Sequence, residues 1–179
     1  FVLGNAYKEG ENGSIDLANL IIDSDISKTV NYLYDLDMGI KDANNMGAAM
    51  APAAVDTLWQ HFQDTGKSPK GYDLILTGDL GVIGKKITTE LMQTRGYDLK
   101  ENYNDCGCLI FDGDKQDTHA GGSGCGCCAT TFCGYIYNQL KNKKINKLLF
   151  CATGALMSPT TAQQKESILG IAHAVSIEA

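Results

Sequence analysis

Four places in this sequence bring together residue types that can do chemistry: Asp79, His119 with the glycines after it, the loop that follows Thr153, and His173. Asp79 comes just after the apolar run YDLILT (72–77) and Gly78, so its carboxylate sits at the carboxyl end of a buried-strand pattern. Open α/β sheets gather their ligands at such strand ends. The stretch 121–126 reads GGSGCG and runs straight into a helical pattern. Free N–H groups and the positive end of a helix favour an anion there. The spacing is not the G-x-x-x-x-G-K-[ST] of a phosphate loop, so a nucleoside triphosphate is not the expected ligand. A second reading stays open, in which the glycines only let the helix pack against a neighbouring strand.

Thiols raise two further possibilities. Seven cysteines is an odd count, and Cys125, Cys127 and Cys128 crowd together, unlike a secreted disulfide framework. They read as reduced thiols, most of them filling tight space. Cys106, Cys108, His119, Cys125, Cys127 and Cys128 would have to wrap a zinc ion with a C-x-C and a crowded C-x-C-C in place of the usual paired C-x₂₋₄-C knuckles, so no metal site is expected. A thiol nucleophile, Cys125 or Cys127 activated by His119, has no stronger support. His61 is expected to be a partly exposed structural residue on an amphipathic helix, and His173 a structural residue beside the last strand.

These groups need elements to hold them. Residues 1–24 are turn-rich and fit no clear pattern, although 15–22 suits a short strand or helix. The run 26–40 alternates as a strand would, with Val30, Tyr32, Tyr34 and Leu36 on one face. Asp42, Asn44 or Asn45 then offers a cap to a long helix carrying Met46, Met50, Ala54, Leu58 and Phe62 as its stripe. The Ala- and Gly-rich first turns of that helix invite another backbone close. Strand 72–77, a glycine turn and a helix over about 83–95 make a β-α unit. Residues 104–111 read as a strand with Cys106, Cys108 and Ile110 on one side. The second half of 119–144 reads as a helix ending in Lys141, Lys143 and Lys144. Residues 148–153 and 171–177 read as strands, with a loop at 158–161. Helices alternating with buried strands predict an α/β layered fold.

Composition sets the outer limits. The chain has 179 residues, 44% apolar and 20% charged, as an ordinary globular protein does. No window is apolar for long enough to span a membrane, so no transmembrane segment is expected. The first residue is Phe1 and no signal peptide is evident. Net charge is −6 with scattered basic residues, which argues against a nucleic-acid partner.

Six segments, in order, carry a resemblance: IKDANNMGAAMAPAA (40–54), YDLILTGDLGVIG (72–84), NYNDCGCLIFD (102–112), HAGGSGCGC (119–127), ATGALMSPTTAQQ (152–164) and GIAHAVSIEA (170–179). Together they resemble the stage V sporulation protein AD family of endospore-forming bacteria, over about 25–179. That family is similar to the thiolases and β-ketoacyl synthases. The resemblance implies an α/β thiolase-like layered fold, helices packed on a mixed sheet. The chain would correspond to the C-terminal one of the two similar halves of such a subunit. The implied domains are therefore a poorly matched 1–24 and a half-domain over 25–179.

The resemblance also implies a function: binding dipicolinic acid for its uptake into the developing spore, without transforming it. The superfamily's nucleophilic cysteine belongs to the other half, so none of these seven cysteines inherits its role. Condensing enzymes of the superfamily carry a histidine donor where this chain has Asp79, and a second polar residue near Gly122 or Ser123. A carboxylate accepts hydrogen bonds and cannot hold a developing oxyanion, so no catalytic residue is expected. The expected ligand site comprises Asp79, His119, Gly121, Gly122, Ser123 and Gly124, with no cofactor of its own. Ca²⁺ enters only as a companion of dipicolinate, where it would relieve the repulsion between Asp79 and the dianion. Other stage V sporulation membrane proteins and a second copy of the chain are the implied partners. A peripheral position on the cytoplasmic face of the spore inner membrane is the implied location. Two rivals remain: an active acyltransferase of the thiolase type, and a structural docking subunit with a vestigial pocket.

Overall fold

A computed structural model describes residues 36–179, together with the backbone of three two-residue strands: β1 (Lys8–Glu9), β2 (Ile15–Asp16) and β3 (Val30–Asn31). Of the alternating run predicted at 26–40, Tyr32 and Tyr34 lie outside the described residues. Leu36 makes an isolated antiparallel bridge to Gly170.

Asn45 starts the first long helix, α1 (Met46–Thr65), its side-chain oxygen accepting from the N–H of Ala48. This is one of the three caps the sequence offers, and it satisfies an otherwise orphaned donor. Gly66 in a left-handed conformation closes the helix. The predicted stripe is buried except for Met46, which is half-buried, but the buried surface is broader than the stripe. Ala49, Ala51, Ala53, Val55, Thr57 and His61 go inside as well, because α1 is covered on two sides, by the sheet and by a second helix. His61 is therefore fully buried rather than partly exposed as the amphipathic pattern predicts. Its Nε2 lies 2.5 Å from the Tyr72 hydroxyl.

The predicted β-α unit forms as β4 (Leu74–Thr77) and α2 (Gly81–Thr94). Gly47 of α1 shows why the early turns are small: a Cβ there would collide with the Leu80 carbonyl at the start of α2. Two regions depart from their predicted state. Only β5 (Tyr103–Asp105) is strand; Cys106 begins the short helix α3 (Cys106–Leu109), so the cysteines of 104–111 do not line one face of a strand. Asp105 turns the chain by accepting at its side chain from the N–H of Gly107. Residues 158–161 are not a loop, because Ser158 and Thr161 form a capping box and Pro159 sits in the first turn of α6 (Pro159–Gln163).

Between them, α4 (Cys127–Thr131), a π-helical turn over Phe132–Ile136 and α5 (Tyr137–Lys141) run on continuously. The helix ends at Lys141, so Lys143, in a left-handed conformation, and Lys144 follow it rather than occupying its last turn. The last strands are longer than predicted, β6 (Lys147–Leu156) and β7 (Leu169–Glu178), paired antiparallel along their whole length.

The main sheet has the order β3-β7-β6-β4-β5. Its β5-β4-β6 portion is parallel, and β7 and β3 join it antiparallel, giving a mixed sheet. Helices α1 and α2 cover one face, over Ile75, Leu149, Cys151, Ala172 and Ala174. The helix running from α4 to α5 covers the other, over Leu76, Leu148, Phe150 and Ile177. This is the α/β layering, helices on a mixed sheet, that the thiolase-like resemblance implies. The parallel strands all deliver their carboxyl ends to one edge, and the polar groups discussed next meet there.

Candidate functional site

Three strand ends build the site. β4 ends at Thr77, the parallel β5 ends at Asp105, and on the other side β6 runs past Cys151 to Thr153. Asp105 is completely buried. One of its oxygens accepts from the Thr77 hydroxyl at 2.6 Å and the Leu80 N–H at 3.0 Å. The other accepts from the N–H groups of Gly81 and Gly107, each at 2.9 Å. Burial pushes its pKa above the usual carboxylate range, and these four donors pull in the other direction. Asp105 thus ties the turn after β4, the start of α2 and the start of α3 to one point.

Asp79 sits beside this knot and is only half-buried. Its Oδ1 accepts from the Thr153 hydroxyl at 3.0 Å, and its own N–H donates to that same oxygen of Thr153 at 3.1 Å. Its Oδ2 accepts from the Gly124 N–H at 2.9 Å and the Ser123 hydroxyl at 3.2 Å. The aspartate is therefore a clasp between the end of β6 and the glycine loop.

Three of the six predicted site residues, Asp79, Ser123 and Gly124, are in direct contact, and Gly121 and Gly122 lie in the same loop without being free donors. Gly121 donates to the Thr118 carbonyl and Gly122 to the Gly107 carbonyl at 2.7 Å, so both glycine N–H groups hold the loop in place. Gly121 has a φ of 105°, and a Cβ there would collide with the Gly107 carbonyl; only glycine fits. Ser123 and Cys125 are exposed, and their backbone N–H groups reach no acceptor among the described residues. His119 stands apart. Its side chain is 88% exposed and its Nδ1 lies 3.2 Å from Asp117 Oδ1, with no hydrogen bond to Asp79 or the glycines. His173 lies on β7 opposite Ala152, on the strand face that carries Val175 and Ile177.

Five of the seven thiols are poor nucleophiles here. Burial pushes Cys108 and Cys127 up to about 11 and Cys151 to about 12, and raises Cys106 and Cys128 as well. Among the described residues no three His, Cys, Asp or Glu side chains gather as a metal cage.

Residues 20–178 match the family of stage V sporulation protein AD (SpoVAD). The chain belongs to that family. Stage V sporulation protein AD of Bacillus subtilis (strain 168) is 49% identical to it over 142 residues, which is 79% of this chain and 42% of that protein. The chain thus spans about two fifths of the length of the curated relative it matches. Membership makes this a sporulation protein, as the six segments imply.

In this SpoVAD-family chain, sequence reasoning missed Asp105, Thr77 and Thr153. Asp105 had a readable signal, an aspartate two residues before a glycine, which is a side-chain cap pattern. Thr77 and Thr153 had none, because their role depends on which strands become neighbours.

Proposed function

We propose that this SpoVAD-family chain holds dipicolinic acid for uptake into the developing spore and does not transform it. The observation that carries this reading is the fixed carboxylate of Asp79 at the mouth of the parallel strands, clasped by Thr153, Ser123 and Gly124. An acceptor in that place stabilises no oxyanion, but it can meet a cation. Calcium takes about six to eight ligand atoms, chiefly oxygen, and dipicolinate brings two carboxylates and a ring nitrogen of its own. Asp79 then has to add only one or two oxygens, so a protein cage of several acids is unnecessary. The N–H groups of Ser123 and Cys125 offer donors to a ligand carboxylate, while Gly121, Gly122 and Gly124 shape the loop that presents them.

An acyltransferase would take its nucleophile from the other half of such a subunit, so the raised pKa values of Cys106, Cys108, Cys127, Cys128 and Cys151 are in keeping with structural thiols. Exposed apolar side chains, Val82 and Ile83 on α2 and Leu156 and Met157 at the end of β6, suit contact with a second copy or with other stage V sporulation proteins. Among the described residues no helix is long and apolar enough to cross a membrane. A peripheral place at the inner spore membrane is part of the same proposal.

The test is turnover. Purified protein is incubated with acetyl and longer acyl thioesters of coenzyme A, and separately with dipicolinate. The expected result is thioester loss no faster than in buffer, with dipicolinate bound and recovered chemically unchanged. Sustained, protein-dependent thioester turnover would establish the acyltransferase instead.

A further inference from the structure

The charge of this acidic chain is unevenly laid out. Between Asp117 and Glu166 there is no acidic residue and there are five lysines, although the whole chain carries −6. Four of the five, Lys141, Lys143, Lys144 and Lys147, fall at the end of α5 and the turn into β6, and all four are exposed. Lys143 adopts a left-handed conformation and its N–H donates to the Leu140 carbonyl, so the chain turns sharply where the lysines are densest.

Two carboxylates lie close to this turn, and both are engaged. Asp73 accepts from the N–H groups of Asn146 and Lys147 at 2.8 and 2.9 Å, and Glu178 lies 3.5 Å from the Lys67 ammonium. None of the four lysines is within ion-pair distance of a described carboxylate. On the same helix Tyr135 and Tyr137 are 52% and 38% exposed, and Tyr137 and Lys141, four residues apart, share one face.

We propose that the lysine-rich end of α5, with Tyr135 and Tyr137 beside it, docks on an anionic phospholipid surface. Lysines on long flexible stems, without a carboxylate or a paired fork to select one shape, recognise spread negative charge rather than a particular anion. Clusters of four or more lysines bind anionic lipid in this way, and tyrosines settle at headgroup depth. A planar membrane touches one face only, so one basic patch is enough for contact even in a chain whose net charge is −6. The inference is argued from charge and exposure; it deepens the peripheral membrane place proposed above and rests on that part of the reading, not on dipicolinate binding.

The experiment is sedimentation of the purified protein with vesicles of phosphatidylcholine, and of phosphatidylcholine and phosphatidylglycerol in equal parts. The protein is expected to pellet with the mixed vesicles only, and less so as salt is raised. A variant carrying Lys141→Gln, Lys143→Gln and Lys144→Gln, with an unchanged unfolding midpoint, should bind at least tenfold more weakly, each lysine being worth about fivefold. No binding to the anionic vesicles would overturn the proposal, as would undiminished binding by the variant. Preferential capture of duplex RNA over the mixed vesicles at equal salt would overturn it too.

Discussion

Two aspartates a short distance apart do opposite jobs. Asp105 is sealed in with four donors, whereas Asp79 is clasped at the surface with one face left toward solvent. Replacing Asp105 by Asn turns one accepting oxygen into an NH₂ group that must face N–H donors. We expect Asp105→Asn to lower unfolding free energy by about 2–4 kcal/mol in urea titrations, since an unmet buried donor costs its full desolvation. Asp79→Asn, with water at hand, should cost under about 1 kcal/mol. Equal costs would mean that the buried knot does not organise the strand ends. His61 supplies a pH signature. Burial holds it near 4, below its ordinary 6.5, so the unfolded chain takes up a proton in acid that the folded chain refuses. Stability from this residue is complete above pH ~6.5 and declines as pH falls toward ~4, by up to about 3 kcal/mol. The difference between the native chain and His61→Gln, measured by denaturation across that window, should show this slope in the native chain only.

At the scale of elements, α1 was legible from the sequence because its apolar stripe, its Asn45 cap and its terminal Gly66 all agree. The second helix on its flank was not, so His61 read as partly exposed. Where a side chain rather than periodicity sets the backbone, the reading went astray. Asp105 converts an alternating strand pattern into a strand and a helical turn, and Ser158 with Thr161 makes a helix of a stretch that looks like a loop. In the site, the glycine loop and Asp79 were legible as neighbours of strand ends. That Asp79 would take up the loop's own donors was not, because it depends on the parallel alignment of β4 and β6. The contact between α1 and α2 gives a third prediction. Gly47→Ala should destabilise by about 1–3 kcal/mol, because the Leu80 carbonyl leaves no room. Gly71→Ala, with open space around it, should leave the unfolding midpoint nearly unchanged. A harmless Gly47→Ala would show that the helices do not meet as closely as described.

For the whole molecule, the sheet divides the labour. One face and its helices form the larger core, and the carboxyl ends of the parallel strands carry the clasp. The helix from α4 to α5 presents a basic end where β6 begins, and the clasp lies further along that strand, at Thr153. The proposed holding role needs a rigid edge with donors and one fixed acceptor, and the clasp around Asp79 has both. Calorimetric titration of dipicolinate, with and without calcium, into the native protein and Asp79→Ala tests this most directly. The account predicts that calcium tightens binding to the native protein and that Asp79→Ala removes at least about tenfold of that gain, as loss of a charged ligand contact should. Binding that ignores both calcium and the loss of Asp79 would contradict it.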